Sequence, residues 1–263
     1  MNLTNFYKDK KDKKYSSVYF LTGEESLFCK NTKNDLHLPC KYKLSLRNFS
    51  KDMINYIVEI DKMDIALEQT NNVSNINSEN RGFPNKKQIV WSKENGMNDV
   101  GLINFLQSKG AYKFDWKMKN KDQTVKSFGG HLNILPLKSI LGDWKKIVYF
   151  DFDPADSPKR NFKIVDFFVD EACVGFFLGD EKQLLFYHEF ESEFYPLYLD
   201  FDGYFAMMLK SKTFWYWQKV LSEINEGISS PTTEHFISCM TELFPEFDFQ
   251  KYKNDYIRLK LNK

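Results

Sequence analysis

Two aspartates separated by a single residue follow an apolar run near the middle of the chain. Ile147–Phe150 contains no charged residue, and Asp151 and Asp153 come directly after it, on either side of Phe152. At the end of a buried strand, such a pair is suited to phosphoryl transfer. One carboxylate attacks phosphorus, the other acts as acid and base, and Mg²⁺ bridges them. This pair is the sharpest candidate for chemistry in the sequence.

Phosphoryl transfer needs more than these two carboxylates. It also needs a Ser or Thr at a later strand end, a Lys, and a second acidic pair for the metal. Gly179-Asp180 is followed by Glu-Lys-Gln, which is not such a pair. The pair resembles the start of haloacid-dehalogenase-type phosphatases, and a Mg-dependent phosphatase using Asp151 and Asp153 is kept as an alternative function. The simpler interpretation is a strand that ends in an Asx-Pro turn at Asp153-Pro154.

Other catalytic and metal-binding patterns find no support in the sequence. The histidines are His37, His131, His188 and His235, and the cysteines are Cys29, Cys40, Cys173 and Cys239. Neither set has ligand spacing, and no two cysteines form a Cys-x-x-Cys pair. Asp151, Asp153 and Asp156 lack the glycine and the final glutamate of a calcium loop. We therefore expect no catalytic residues, no metal and no cofactor, and reduced thiols in a cytoplasmic protein.

Charge is distributed unevenly along a nearly neutral chain. The net charge is +1, yet residues 143–204 hold fourteen acidic and six basic residues, whereas residues 1–126 hold fifteen acidic and twenty-two basic ones. An acidic block of this kind is either a solvated face or a docking surface for a basic partner. The predicted partner contacts are Asp151, Asp153, Asp156, Asp170, Glu171, Glu189, Glu191 and Glu193.

Four consecutive aromatic residues, Phe214–Trp217, cannot all face one core if they lie in a helix. At least one ring should be partly exposed, and we take Trp215 as a further candidate contact. Most of the other aromatics are expected to fill the core rather than stack on bases, because they lie in the acidic part of the chain.

Helix and strand signals are grouped rather than alternating. Ser50, Asp99, Asp200 or Asp202, and Ser230 are predicted N-caps, Gly227 a predicted helix end, and 248–259 a final helix. From residue 200 to Gly227 we expect one long helix with a shift of register near Thr213. Predicted strands are 17–21, 88–91, 147–152, 164–169, 173–178 and 184–188, the last four as an antiparallel meander. Residues 71–85 are rich in Asn and are predicted to be a loop and a domain boundary.

This grouping indicates an α+β fold, a mostly antiparallel or mixed sheet with helices packed on it. We divide the chain into an N-terminal extension of unclear structure (1–80), a core (81–227) and a C-terminal helical extension (228–263) packed on the core. We expect no membrane-spanning segment and no signal peptide, since no apolar run is long enough.

Residues 129–217 resemble the SUKH superfamily, the Syd and Smi/Knr-like proteins. Gly129-Gly130 leading into Leu132–Leu137 is similar to the family's glycine-led strand and short helix. Trp144 followed by Ile147–Pro154 is similar to its Trp, apolar strand and Asp-x-Asp-Pro turn. Ile164–Phe168 takes the place of its second core strand, and Tyr198–Phe205 and Phe214–Gln218 resemble the start and the aromatic end of its final helix.

The resemblance implies a mixed or antiparallel sheet covered by helices, and no family-wide catalytic residues. It also implies a bacterial immunity protein that binds and neutralises a toxin, often a nuclease. The expected partner is then a protein with a basic surface, with no direct contact to nucleic acid or membrane. A regulatory scaffold protein without a toxin partner is the second alternative.

Overall fold

The computed structural model describes residues 8–10, 13–15, 50–119, 128–190 and 192–261. Two short strands, β1 (Lys8–Lys10) and β2 (Lys13–Tyr15), pair with each other. The main sheet has seven antiparallel strands whose spatial order follows the chain. They are β3 (Val73–Asn80), β4 (Tyr112–Met118), β5 (Gly129–Ile134), β6 (Phe162–Val169), β7 (Ala172–Phe177), β8 (Phe186–Glu189) and β9 (Phe194–Pro196). The predicted strand at 17–21 lies outside the described residues.

Eight α-helices are present in the described part of the chain. They are α1 (Lys51–Gln69), α2 (Lys86–Glu94), α3 (Val100–Ser108), α4 (Leu137–Ile140), α5 (Phe201–Lys210), α6 (Trp217–Glu226), α7 (Pro231–Leu243) and α8 (Phe249–Leu259). The predicted α+β class is therefore confirmed. None of the helices in the described ranges is long and apolar enough to cross a bilayer.

The predicted helix starts are confirmed, because capping is a local property of a few residues. The side chains of Ser50, Asp99, Asp200 and Ser230 each accept a hydrogen bond from the first turn of α1, α3, α5 and α7. Gly227 ends α6 in the left-handed conformation, as a glycine can without steric cost.

Two predictions in residues 71–94 are wrong. Residues 73–80, expected to be a loop, form β3, which pairs with β4 from Val73 to Asn80. The hydrogen bonds that stabilise this strand come from its pairing with β4, and so polar a sequence does not predict that pairing. The expected strand at 88–91 lies inside α2, because Asn85 and Gln88 form a reciprocal capping box that starts a helix.

Residues on the two sides of the segment 71–85 pack against each other. Tyr56 of α1 packs edge-on against Phe105 of α3 and Phe205 of α5, with ring centroids 5.5 Å and 4.8 Å apart. Ile60 and Leu67 of the same helix are fully buried. Helix α1 and strand β3 therefore share the sheet and the core with the residues that follow them.

The long helix expected after residue 200 is interrupted at 211–216. The main-chain N–H of His131 donates to the oxygen of Thr213 at 2.8 Å, and the N–H of Trp215 donates to the oxygen of Gly129 at 2.9 Å. The indole N–H of Trp116 donates to the oxygen of Lys212 at 2.7 Å. These hydrogen bonds hold the interruption against β5, so the apparent shift of register marks a true break between α5 and α6.

Candidate functional site

The segment between α4 and β6 carries the Asp-x-Asp pair, and it is a turn rather than the strand predicted for 147–152. Lys146 has a left-handed backbone, and only an isolated bridge joins Lys145 to Tyr149. The carboxylate of Asp153 accepts the N–H of Phe150, three residues earlier in the chain, at 2.7 Å and so holds the turn together. The prediction failed because β-propensity counts only when a neighbouring strand is available.

Phe152 is exposed at the tip of this turn. Its side chain keeps 82% of its surface accessible, and the ring stacks on Phe150 with centroids 5.3 Å apart and planes at 5°. Asp151 on one side of it is 78% exposed and pairs with Lys145 at 2.5 Å. Asp153 lies 3.6 Å from Lys159 on the other side. Asp156 is exposed. A ring this exposed contributes little burial to the fold, so Phe152 is the strongest contact candidate among the described residues.

The other predicted acidic contacts lie on two strand connections. Asp170 and Glu171 form the β6–β7 turn and are exposed. Glu189 ends β8 and Glu193 precedes β9. Glu191, between them, lies outside the described residues. The hydroxyl of Tyr216 donates to Glu171, and Lys219 binds Glu189 at 2.9 Å.

These carboxylates have different electrostatic neighbours. Glu171 and Glu189 both raise the pKa of the Tyr216 hydroxyl, after burial, so they share a patch beside the start of α6. Glu193 instead acts with Lys159 on buried His188: burial lowers the pKa of that imidazole, Lys159 lowers it further, and Glu193 opposes the shift. Glu193 therefore lies beside His188.

Trp215 is half-buried, in agreement with the expectation that one ring of the aromatic run is partly exposed. Phe214 and Trp217 are buried. The indole of Trp215 stacks on Tyr216, with centroids 6.0 Å apart and planes at 8°, and its N–H is buried without a hydrogen-bond partner among the described residues. Its role as a contact stays a prediction.

The geometry needed by the phosphatase alternative is not formed around Asp151 and Asp153. No buried strand delivers Asp151 into a pocket, and its carboxylate faces solvent beside Lys145. The main sheet is antiparallel, whereas such sites lie at the ends of parallel strands. Within the described ranges, no group of three or more histidine, cysteine or acidic residues could hold a metal ion.

A buried polar network on β6 was not singled out from the sequence. The carboxylate of Asp166 is fully buried and accepts the hydroxyl of Tyr204 at 2.5 Å, the N–H of Asn133 at 2.8 Å and the amide of Gln218 at 3.3 Å. Burial raises the pKa of Asp166 above its ordinary value. An aspartate inside the apolar strand Ile164–Phe168 was the signal that could have revealed it.

The position of this network argues for a role in the fold. It ties β6 to β5 through Asn133, and to α5 and α6 through Tyr204 and Gln218. The thiol of Cys173 is close to it, and burial raises the pKa of that thiol well above its usual value, with Asp166 adding to the effect. A thiol held protonated is a poor nucleophile, so the cluster does not form an activated cysteine site.

No family model, curated protein or solved structure matches this chain. The function has to be argued from the arrangement of the chain's own residues.

Proposed function

We propose that this protein is a non-catalytic binding protein that docks on a basic protein partner through the turn carrying Phe152. The observation that carries the proposal is the ring of Phe152, 82% exposed between two aspartates. Exposed aromatic residues act as anchors in protein interfaces, where they fill a pocket of the partner and exclude water. The contact residues we assign to this turn are Phe152, Asp151 and Asp156, whereas Asp153, with a side chain only 10% exposed, holds the turn in shape.

Charge supports a basic partner. The net charge of residues 143–204 is −8, with fourteen acidic and six basic residues. Asp166 is buried in the core and does not contribute to the surface charge. Asp156, Asp170 and Glu193 have exposed side chains with no ion pair among the described residues. Such an acidic surface accelerates the approach of a basic protein and aligns it.

Hydrogen bonds hold the turn that carries Phe152 in one conformation. Asp153 accepts the N–H of Phe150, and Arg160 donates to the main-chain oxygens of Asp153 and Pro154 at 2.9 Å. The guanidinium of Arg160 also lies 4.5 Å from the ring centre of Tyr149. A pre-ordered turn loses less conformational entropy on binding than a free loop.

The resemblance to SUKH proteins leads to a more specific proposal, namely that the chain is an immunity protein and that its partner is a toxin. A nuclease toxin must be basic where it holds phosphates, so an acidic protein can cover that site. In this form the toxin gene is expected beside the gene for this chain, and its product is the first partner to test.

Capture from a lysate of the source cells tests the proposal. The immobilised chain should retain a basic protein, and Phe152→Ala should weaken that complex about 30-fold or more. Asp156→Lys should weaken it less, mainly by slowing association at low salt. Ile228→Ala, which trims another exposed apolar side chain, and Glu242→Lys, an equal charge change on α7, serve as controls.

Equal capture by Phe152→Ala, Asp156→Lys and both controls would show that this turn is not the docking surface. A phosphatase screen with Mg²⁺ tests the alternative directly. Turnover that disappears in Asp151→Asn would replace the binding function by an enzymatic one.

A further inference from the structure

Helix α2 presents an apolar stripe to solvent. Val90 is 56% and Trp91 39% exposed, and Ser92 is the one residue of the helix that is buried. A shallow depression in this surface is lined by Lys86, Lys87, Val90, Trp91 and Glu94. These positions lie on one side of the helix, because their spacings of three, four and seven residues return to the same face. The exposed pair Val90 and Trp91 offers an apolar contact to a partner.

The charges that flank the stripe do not serve the helix itself. Lys86 and Lys87 stand in its first turn and Glu94 in its last, whereas the helix dipole favours acidic residues at the start and basic residues at the end. None of these three side chains has an ion pair with another described residue. These three charges are therefore available to a partner.

The spacing of these residues is self-complementary. Lys87 lies three residues before Val90, and Glu94 lies three residues after Trp91. When two copies of such a helix meet antiparallel, with a two-fold axis between Val90 and Trp91, Val90 of each faces Trp91 of the other. The same axis brings Lys87 of each copy opposite Glu94 of the other. One apolar contact and one opposite-charge pair are then formed twice.

We propose that α2 is a self-association surface on which a second copy of this chain docks antiparallel about a two-fold axis. Two-fold interfaces use the same patch on both subunits, so a self-complementary face is their requirement. An acidic peptide would satisfy Lys86 and Lys87 but would meet Glu94 with like charge. A basic one would have the reverse conflict. The second copy satisfies both ends at once.

The expected dimer is weak. A nine-residue helix is only about 13 Å long, whereas stable interfaces bury about 800 Å² on each partner. We therefore expect a dissociation constant on the order of 10⁻⁵ to 10⁻⁴ M. The residues assigned to this surface are different from those assigned to the turn carrying Phe152, so the two proposals are tested by separate variants.

Sedimentation equilibrium on the full chain, from about 5 to 500 μM, tests this surface. The wild-type chain should show a monomer–dimer equilibrium, and Trp91→Asp should be monomeric throughout. Lys87→Glu and Glu94→Lys should each raise the dissociation constant about tenfold, since each turns two attractive pairs into repulsive ones. The double variant Lys87→Glu/Glu94→Lys should recover the wild-type constant.

Recovery in the double variant requires that Lys87 of one copy lies opposite Glu94 of the other. A chain that is monomeric at all concentrations overturns the proposal, as does a double variant no better than its parents. Far-UV circular dichroism establishes that each variant is folded. The lysine and glutamate side chains are exposed, so their exchange keeps the test decisive even if Trp91→Asp unfolds.

Discussion

Asp99 joins two helix starts at a single carboxylate. One of its oxygens accepts the N–H of Leu102 at 2.8 Å, which caps α3, and the other accepts the N–H of Phe201 at 2.9 Å, at the first residue of α5. Burial raises the pKa of Asp99 to about 6, the two N–H groups oppose this, and Asp200 and Asp202 add to it. The carboxylate of Asp99 thus accepts two hydrogen bonds, but its ionised form is energetically unfavourable because it is buried.

Asp99 should make the free energy of unfolding depend on pH between about 4 and 6. Because its pKa is higher in the folded than in the unfolded chain, the folded state holds the proton longer, and stability falls as pH rises through this window. The stability of Asp99→Asn relative to wild type should therefore rise by about 2–3 kcal/mol between pH 4 and pH 7.

Urea unfolding of both proteins at each pH measures this difference. Asp166, whose pKa burial also raises, adds a slope of the same sign to wild type and variant alike, so it cancels. A stability difference that stays flat across the window would contradict the raised pKa of Asp99.

At the level of residues, features that depend on composition could be predicted from the sequence, whereas the burial or exposure of single side chains could not. The acidic character of residues 143–204 was visible, whereas the exposure of Phe152 was not, because an apolar run was assigned to a buried strand. The buried network of Asp166 was missed because its members are far apart in the sequence. Its hydrogen-bond partners Tyr204 and Gln218 lie 38 and 52 residues along the chain, and no local pattern connects them.

Among the elements, the contact between β5 and the break at 211–216 depends on Gly130. A side-chain carbon at this position would lie 2.0 Å from the indole nitrogen of Trp116 and 2.5 Å from the hydroxyl of Thr213. The glycine therefore lets the break approach the sheet closely enough for the hydrogen bonds of His131 and Trp215.

Gly130→Ala should destabilise the fold by about 3 kcal/mol, since the added carbon forces Trp116 or the break away from the sheet. Gly203→Ala in α5 is the matched control. Its added carbon meets the flexible side chain of Leu199 at 3.0 Å, and alanine favours a helix, so the change should stay within about 1 kcal/mol. Urea unfolding compares them. Similar losses in both variants would mean that close packing at Gly130 is not decisive.

Element prediction succeeded where the signal is local. Caps at Ser50, Asp99 and Ser230 were found because the capping side chain and its N–H partner lie within three residues. It failed for β3, a polar strand whose stability comes from β4, more than thirty residues later in the chain. It failed for α2 because the run Gln88–Trp91 has strand-like residues, and the capping box at Asn85 outweighed them.

For the whole molecule, the class was predictable from grouped strands and helices, and the extent of the core was not. The sequence indicated an extension up to residue 80, yet the structure places α1 on α3 and α5 and pairs β3 with β4. The main sheet thus has its first strand in a segment whose composition indicated a loop, and α1, from the same N-terminal part of the chain, packs on the core.

Removal of residues 1–80 should therefore destroy cooperative folding rather than trim the molecule. The chain 81–263 would expose Phe105 and Phe205, which now pack on Tyr56, and would leave the edge of β4 unpaired. Exposed apolar surface and a free strand edge both favour aggregation. We expect 81–263 to be aggregated or to unfold without a sharp transition, whereas the full chain unfolds in one step.

Circular dichroism during heating and size-exclusion chromatography distinguish these outcomes. Leu67→Ala in the full chain provides a graded comparison, because deleting this buried side chain should cost about 2–5 kcal/mol while leaving one transition. If 81–263 remained monomeric and melted as sharply as the full chain, α1 and β3 would be a dispensable addition. The domain division drawn at residue 80 would then be correct in spite of the shared sheet.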